Sequence, residues 1–224
     1  MSNQKKVMTV ISIIFVVSLL FLAGCTEQSQ NETNADDDLK QGTNDTITVA
    51  AIVNGVNITD EEVNMTQQSS IQQGQQISKD QALEYLIDQE ILLQKAKEEG
   101  YSLTDAEAES YMETILAQQN STLKDYKLQL QQQGISYEDQ LQYVKEELAK
   151  QNYKDDVLEG RNFSVTNQEA RDYYDTYKQE NPDILPFEDV KEDIISSLEQ
   201  QKRQEAINSL IENLKEDANI KYNE

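Results

Sequence analysis

A mainly α-helical fold, with a small β-hairpin near its start and a closing strand at its end, is what this 224-residue sequence predicts. Three observations carry that expectation. Helix-start signals of the form Ser/Thr-x-x-Glu/Gln recur ahead of stretches whose apolar residues lie three and four apart. Gly74, Gly100, Gly134 and Gly160 stand where those stretches stop, as left-handed helix caps do. One short β-branched run, Ile47 to Val53, leads directly into Asn54-Gly55, the dipeptide best suited to a two-residue hairpin turn.

The elements follow in chain order. Val56-Asn57-Ile58 is the return strand of the hairpin. Thr59-Asp60-Glu61-Glu62 then forms a capping box, in which the Thr hydroxyl and the Glu carboxylate satisfy the first free amides of a helix. Ser78-Lys79-Asp80-Gln81 opens the next, with Ala82, Leu83, Leu86, Ile87, Ile91 and Leu93 on one face and Gly100 at its end. Thr104-Asp105-Ala106-Glu107 starts a third, turning Ala108, Tyr111, Met112, Ile115 and Leu116 inward. Leu123, Tyr126, Leu128 and Leu130 mark a short helix that stops at Gly134. Ser136-Tyr137-Glu138-Asp139 begins another, carrying Leu141, Val144, Leu148 and Tyr153 toward Gly160. Thr166-Asn167-Gln168-Glu169 begins a sixth with Ala170, Tyr173, Tyr174 and Tyr177. The only two prolines, Pro182 and Pro186, bracket a break before a last helix over 187–217, and Ile220-Lys221-Tyr222 alternates as a strand does. No fixed-period repeat is present, which disfavours a solenoid.

Ahead of the hairpin the sequence reads as an address and a tether. Lys5 and Lys6 precede an apolar run from Val7 to Leu22, which closes on Leu22-Ala23-Gly24-Cys25. That is the layout of a secretory signal, short for a transmembrane helix. The tetrapeptide resembles a bacterial lipobox, which implies a signal peptide over 1–24 and lipidation of Cys25, the single Cys in the chain. An ordinary signal peptide or an uncleaved anchor is the alternative. Residues 25–45 contain one large apolar side chain, Leu39, and the triplet Asp36-Asp37-Asp38, a composition that reads as a flexible acidic tether. Residues 46–224 form the folding domain.

Composition excludes several functions. With 42 acidic against 19 basic side chains and a net charge of −23, a nucleic-acid surface is ruled out, because phosphates would be repelled. Without His there is no imidazole base and no imidazole metal site, and one Cys makes neither a disulfide nor a thiolate cage. Carboxylate pairs at helical spacing arise here from composition alone and assign no general acid or base. No catalytic residue, metal site or cofactor is expected. Six Asn-x-Ser/Thr sequons, at Asn31, Asn44, Asn57, Asn64, Asn120 and Asn162, matter only in a host with surface N-glycosylation.

The stretch from Ala51 to Thr59, its capped helix, and Ala82-Leu83-Glu84-Tyr85-Leu86-Ile87-Asp88-Gln89-Glu90-Ile91-Leu92-Leu93-Gln94-Lys95-Ala96 resemble the N-terminal domain of SurA/PrsA-type export chaperones. Glu98 to Glu107 matches the Gly turn and Thr-capped helix that follow in that family, and Val165 to Tyr174 matches the segment leading into a parvulin prolyl isomerase domain. Here the chain departs from the family. It passes across Asn181-Pro182-Asp183-Ile184-Leu185-Pro186 straight to a helix similar to the family's C-terminal one, with no isomerase module. The resemblance implies that the last strand pairs with the first hairpin and that helix 187–217 packs back on the domain.

It also implies a function. The expected protein is a lipid-anchored, outward-facing holdase for unfolded or nascent exported polypeptides, without isomerase activity. The alternative is a non-catalytic surface scaffold with one dedicated protein partner. Candidate peptide-binding residues are Met65, Ile71, Tyr111, Met112, Ile115, Tyr126, Leu130 and Tyr143, each equally plausible as core. Tyr173, Tyr174 and Tyr177 form an aromatic stripe that reads either as a patch or as half-buried core with hydroxyls at its rim.

Overall fold

The structure, a computed structural model, describes residues 48–223. The signal, tether and lipidation expectations, Cys25 included, lie outside the described residues. The described chain runs β1 (Val49–Val53), β2 (Val56–Thr59), α1 (Asp60–Gln72), α2 (Lys79–Glu98), α3 (Asp105–Gln118), α4 (Leu123–Gln132), α5 (Tyr137–Leu158), α6 (Asn167–Glu180), α7 (Phe187–Asp217) and β3 (Ile220–Tyr222). The fold is mainly α, as the periodicity predicts. No described helix is long and apolar enough to cross a membrane.

These residues fall into two compact units. One holds 48–87, 109–137 and 220–223; the other holds 88–108 and 138–219. The first contains the sheet, in the order β2-β1-β3. Asn54 at φ 50° and Gly55 at φ 94° make the turn between β1 and β2, since two successive positive φ angles match the twist of a hairpin. The antiparallel register pairs Val53 with Val56 and Ala51 with Ile58, with an irregularity between Val49 and Ala51. β3 adds to the other edge of β1, Val53 facing Ile220 and Ala51 facing Tyr222, which is the pairing implied by the family resemblance. Asn223 extends it, its amide N–H donating to the Ala50 carbonyl at 2.9 Å. Tyr222 donates its hydroxyl to Glu84 at 2.9 Å. Ala50, Ala51, Val53, Ile58, Val63, Ala82, Ile87, Met112, Ile115, Leu116, Tyr126 and Leu130 are the buried apolar side chains of this unit.

The helix starts are built as the sequence implies. Thr59 caps α1 by accepting from the Glu62 amide at 3.2 Å, while its own amide donates to the Glu62 carboxylate at 2.7 Å. Reciprocal bonds of the same kind join Ser78 to Gln81 and Thr104 to Glu107. A further cap, Thr122 accepting from the Asp125 amide at 3.2 Å, opens α4. The sequence reading marks α4 by its apolar residues and does not name this cap. The end of α3 is likewise closed without glycine: Asn120 takes φ 55° and Ser121 donates back to Leu116 at 2.9 Å. The apolar residues that mark α4 do not all face inward. Leu128 is exposed, because Tyr126 and Leu130 share a face of α4 and Leu128 stands about 200° around the helix from Tyr126.

The second unit has two apolar clusters. Leu92, Ala96, Ala149, Tyr153 and Ile211 form one, joining α2, α5 and the end of α7, with Tyr101, Leu103, Val157, Ile207, Leu210 and Leu214 around it. Ala170, Tyr174, Phe187 and Ile194 form the other, joining α6 to the start of α7. Residues 181–186 are all that connects those two helices.

Candidate functional site

The candidate site lies on the α6–α7 pair, and its geometry starts from the spacing of α6. Ala170, Tyr173, Tyr174 and Tyr177 occupy one stripe, but the structure separates them. Ala170 and Tyr174 are buried, whereas Tyr173 and Tyr177 remain 43% and 45% exposed. Tyr174 meets the Phe187 ring edge-on, centroids 5.4 Å apart at 67°, and donates its hydroxyl to the Leu185 carbonyl at 2.9 Å. Those contacts tie the proline-bracketed connection to α6. Tyr173 and Tyr177, four residues apart, lie parallel, with centroids at 6.4 Å and planes 8° apart.

Between this aromatic pair and the first turns of α7 is a cavity of about 290 Å³. Tyr173, Tyr174 and Tyr177 line it from α6, Ile184 from the connection, and Val190, Asp193, Ile194 and Ser197 from α7. Its size is at the small end of the roughly 300–1,000 Å³ range of ligand pockets, suited to one or two side chains rather than a cofactor. Asp193 is its one charged lining group. The start of α6 is held firmly. Thr166 and Glu169 form a capping box, and Lys202 of α7 donates to Glu169 at 2.7 Å and to the Ser164 carbonyl at 3.2 Å. The Lys202 bond, and then the two from Thr166, hold the Glu169 carboxyl down at about 2.

None of the eight sequence-nominated peptide-binding residues lines this cavity. Met112 and Ile115 of α3 and Tyr126 and Leu130 of α4 are buried in the first unit, so they are core rather than groove surface. Tyr111 is half-buried, and neither its hydroxyl nor that of Tyr126 has a partner among the described residues. Burial pushes the Tyr111 hydroxyl up to about 12 and raises that of Tyr126. Met65 and Ile71 on α1 and Tyr143 on α5 are exposed. Met65 and Ile71, six residues apart, stand about 120° from each other around α1 and share no stripe. Of the residues the sequence singles out, the structure brings together the tyrosine stripe. Its dual character was visible in the spacing; which ring would be buried was not.

In the second unit Lys150 is buried and satisfied, donating to Glu147 and, at 2.8 Å, to Gln89. Burial holds the neighbouring Lys154 below the usual lysine range. Among the described residues no three His, Cys, Asp or Glu side chains are grouped to hold a metal ion.

A family model described as the SurA-like N-terminal domain matches residues 1–154. A chaperone SurA of Legionella pneumophila is 28% identical over 137 residues, 57% of this chain and 32% of that protein. A foldase protein PrsA of Clostridium acetobutylicum is 34% identical over 108 residues, 45% of this chain and 30% of the foldase. The chain thus spans about a third of the length of these curated relatives. A solved structure from the study of PEB4 and Cj1289, two structurally related SurA-like chaperones of Campylobacter jejuni, superposes with a TM-score of 0.58 at 16% identity. It covers 79% of this chain and 99% of its own, a likeness of fold. The α6–α7 cavity lies beyond the residues that the family model matches.

Proposed function

This chain belongs to the SurA-like N-terminal domain family, and from that premise we propose that it is a chaperone, a holdase for unfolded or nascent exported polypeptides. It works without prolyl isomerase chemistry and is carried on the outward face of the cell membrane by lipid on Cys25. The observation that carries the reading is the α6–α7 cavity, with aromatic and aliphatic walls and a single carboxylate. Such a surface holds an extended chain by burying its apolar side chains, at roughly 25 cal/mol per Å², and does nothing to its bonds. Six residues, 181–186, stand where the family resemblance would place an isomerase module. The net charge of −23 keeps a client-loaded carrier dispersed.

The export reading is supported by the Lys5-Lys6, apolar, Leu22-Ala23-Gly24-Cys25 pattern. Two unrelated unfolded proteins, diluted from denaturant with stoichiometric amounts of the full chain, provide the test. Light scattering should fall for both, and proline isomerisation in a model peptide should not accelerate. A cooperatively folded sample that suppresses neither client would overturn the holdase reading in favour of a dedicated partner. A Cys25→Ser chain that stays membrane-bound and incorporates labelled fatty acid as the parent does would overturn the anchor.

A further inference from the structure

We propose that the Tyr173–Tyr177 groove selects client segments in which an apolar residue is flanked by lysine or arginine, the cation resting on the tyrosine rings beside Asp193. This rests on the holdase reading and names the segments that the groove holds.

The rings themselves point to a cation. Four aromatic side chains gather at α6 and the start of α7, and the two buried ones already carry cations of the chain. The Arg171 guanidinium lies 4.0 Å from the Phe187 centroid, and the Lys178 ammonium lies 5.6 Å from that of Tyr174. Both are within the distance at which ring quadrupoles attract positive charge. Tyr173 and Tyr177 are the two rings left without one among the described residues. They are also the two that remain open to solvent.

The charges agree. Asp193 is exposed in the cavity wall, its carboxylate in neither an ion pair nor a hydrogen bond among the described residues. Across residues 167–198 there are nine acidic and three basic side chains. Two of those three bases, Arg171 and Lys178, already lie on rings. An acidic client, an anionic headgroup or a second copy of this chain, itself at −23, would be repelled from such a rim. A basic, apolar segment is attracted to the rim and buries its apolar residue against Ile184, Val190 and Ile194.

The test uses the full chain and three labelled peptides that share one Phe- and Leu-containing core, flanked by Lys, by Gln or by Glu. Fluorescence anisotropy should give the Lys-flanked peptide about tenfold tighter binding than the Glu-flanked one at low salt, converging near 0.5 M salt as screening shortens the charge interaction to about 4 Å. Asp193→Lys should reverse the order, and Asp193→Asn should narrow the gap by about threefold. Tyr173→Ala with Tyr177→Ala should weaken the Lys-flanked peptide most. Glu113→Lys, an exposed acid on α3, makes the same change in net charge away from the groove and should leave the order intact. Equal binding of the three peptides, or equal effects of Asp193→Lys and Glu113→Lys, overturns the selectivity and leaves the holdase standing. No binding of any peptide overturns both.

Discussion

Glu169 shows how much one side chain joins. Its carboxylate accepts from Lys202 at 2.7 Å, from the Thr166 amide at 2.7 Å and from the Thr166 hydroxyl at 2.8 Å, so it caps α6 and pins α6 to α7. These bonds favour the charged form, Lys202 first, and bring its pKa from 4.5 to about 2. A carboxyl whose folded pKa is depressed contributes stability that is whole above the unfolded pKa. That contribution drains away as pH falls through the folded one. Glu169→Gln is therefore expected to melt below the parent at neutral pH, with the gap closing as pH drops from 4.5 toward about 2. Thermal melts of the two proteins across that range check it; a gap independent of pH would mean the charge on Glu169 contributes nothing. Thr166 was readable as a cap because its partner is three residues away. Lys202 is 33 residues from Glu169, and nothing local announces it.

At the scale of elements, helix ends and strand turns are local problems, and sequence solves them locally. A Thr hydroxyl three residues from a Glu carboxylate forms a capping box whatever surrounds it, and Asn54-Gly55 turns a hairpin because both residues tolerate positive φ. Which face of a helix is buried is also legible, but which members of that face are covered is not. Met65 on α1 and Met112 on α3 are the same residue type; Met112 is 0% exposed and Met65 52%. Met112→Ala should therefore cost about 2–5 kcal/mol, a fall in Tm of order 10 °C, by leaving a cavity. Tyr173→Ala, which removes a ring from the surface, should leave Tm within about 2 °C and change client binding instead. Calorimetry paired with peptide titration separates them; a large Tm loss for Tyr173→Ala would place that ring in the core.

For the whole molecule the dominant quantity is charge. A net charge of −23 and an isoelectric point near 4.2 mean that every surface acts in a negative field. Solubility should pass through a minimum near pH 4.2, with turbidity of the full chain rising there and reversing on return to neutral pH. Constant solubility across that pH would show that mutual repulsion is not what keeps the protein dispersed. The same charge excludes nucleic acid at first reading.

The sequence by itself determined what depends on near neighbours and on composition: a mainly helical chain, its helix starts, its hairpin, the chemistry it lacks, and its resemblance to a family of export chaperones. Only the tertiary structure decided what depends on residues far apart meeting. β3 reaches β1 across 166 intervening positions, Val53 facing Ile220, a pairing that strand pattern alone does not assign and that the sequence anticipates only through the family resemblance. The α6–α7 cavity was hidden from the sequence for the same reason. The eight nominated residues were chosen for being apolar or aromatic on helical faces, and that property does not distinguish a core from a groove. Burial of Tyr174 beneath Phe187 turned an ordinary stripe into a floor with two open rings above it. That contact joins residues 13 positions apart on two different helices, where helical periodicity no longer says what faces what.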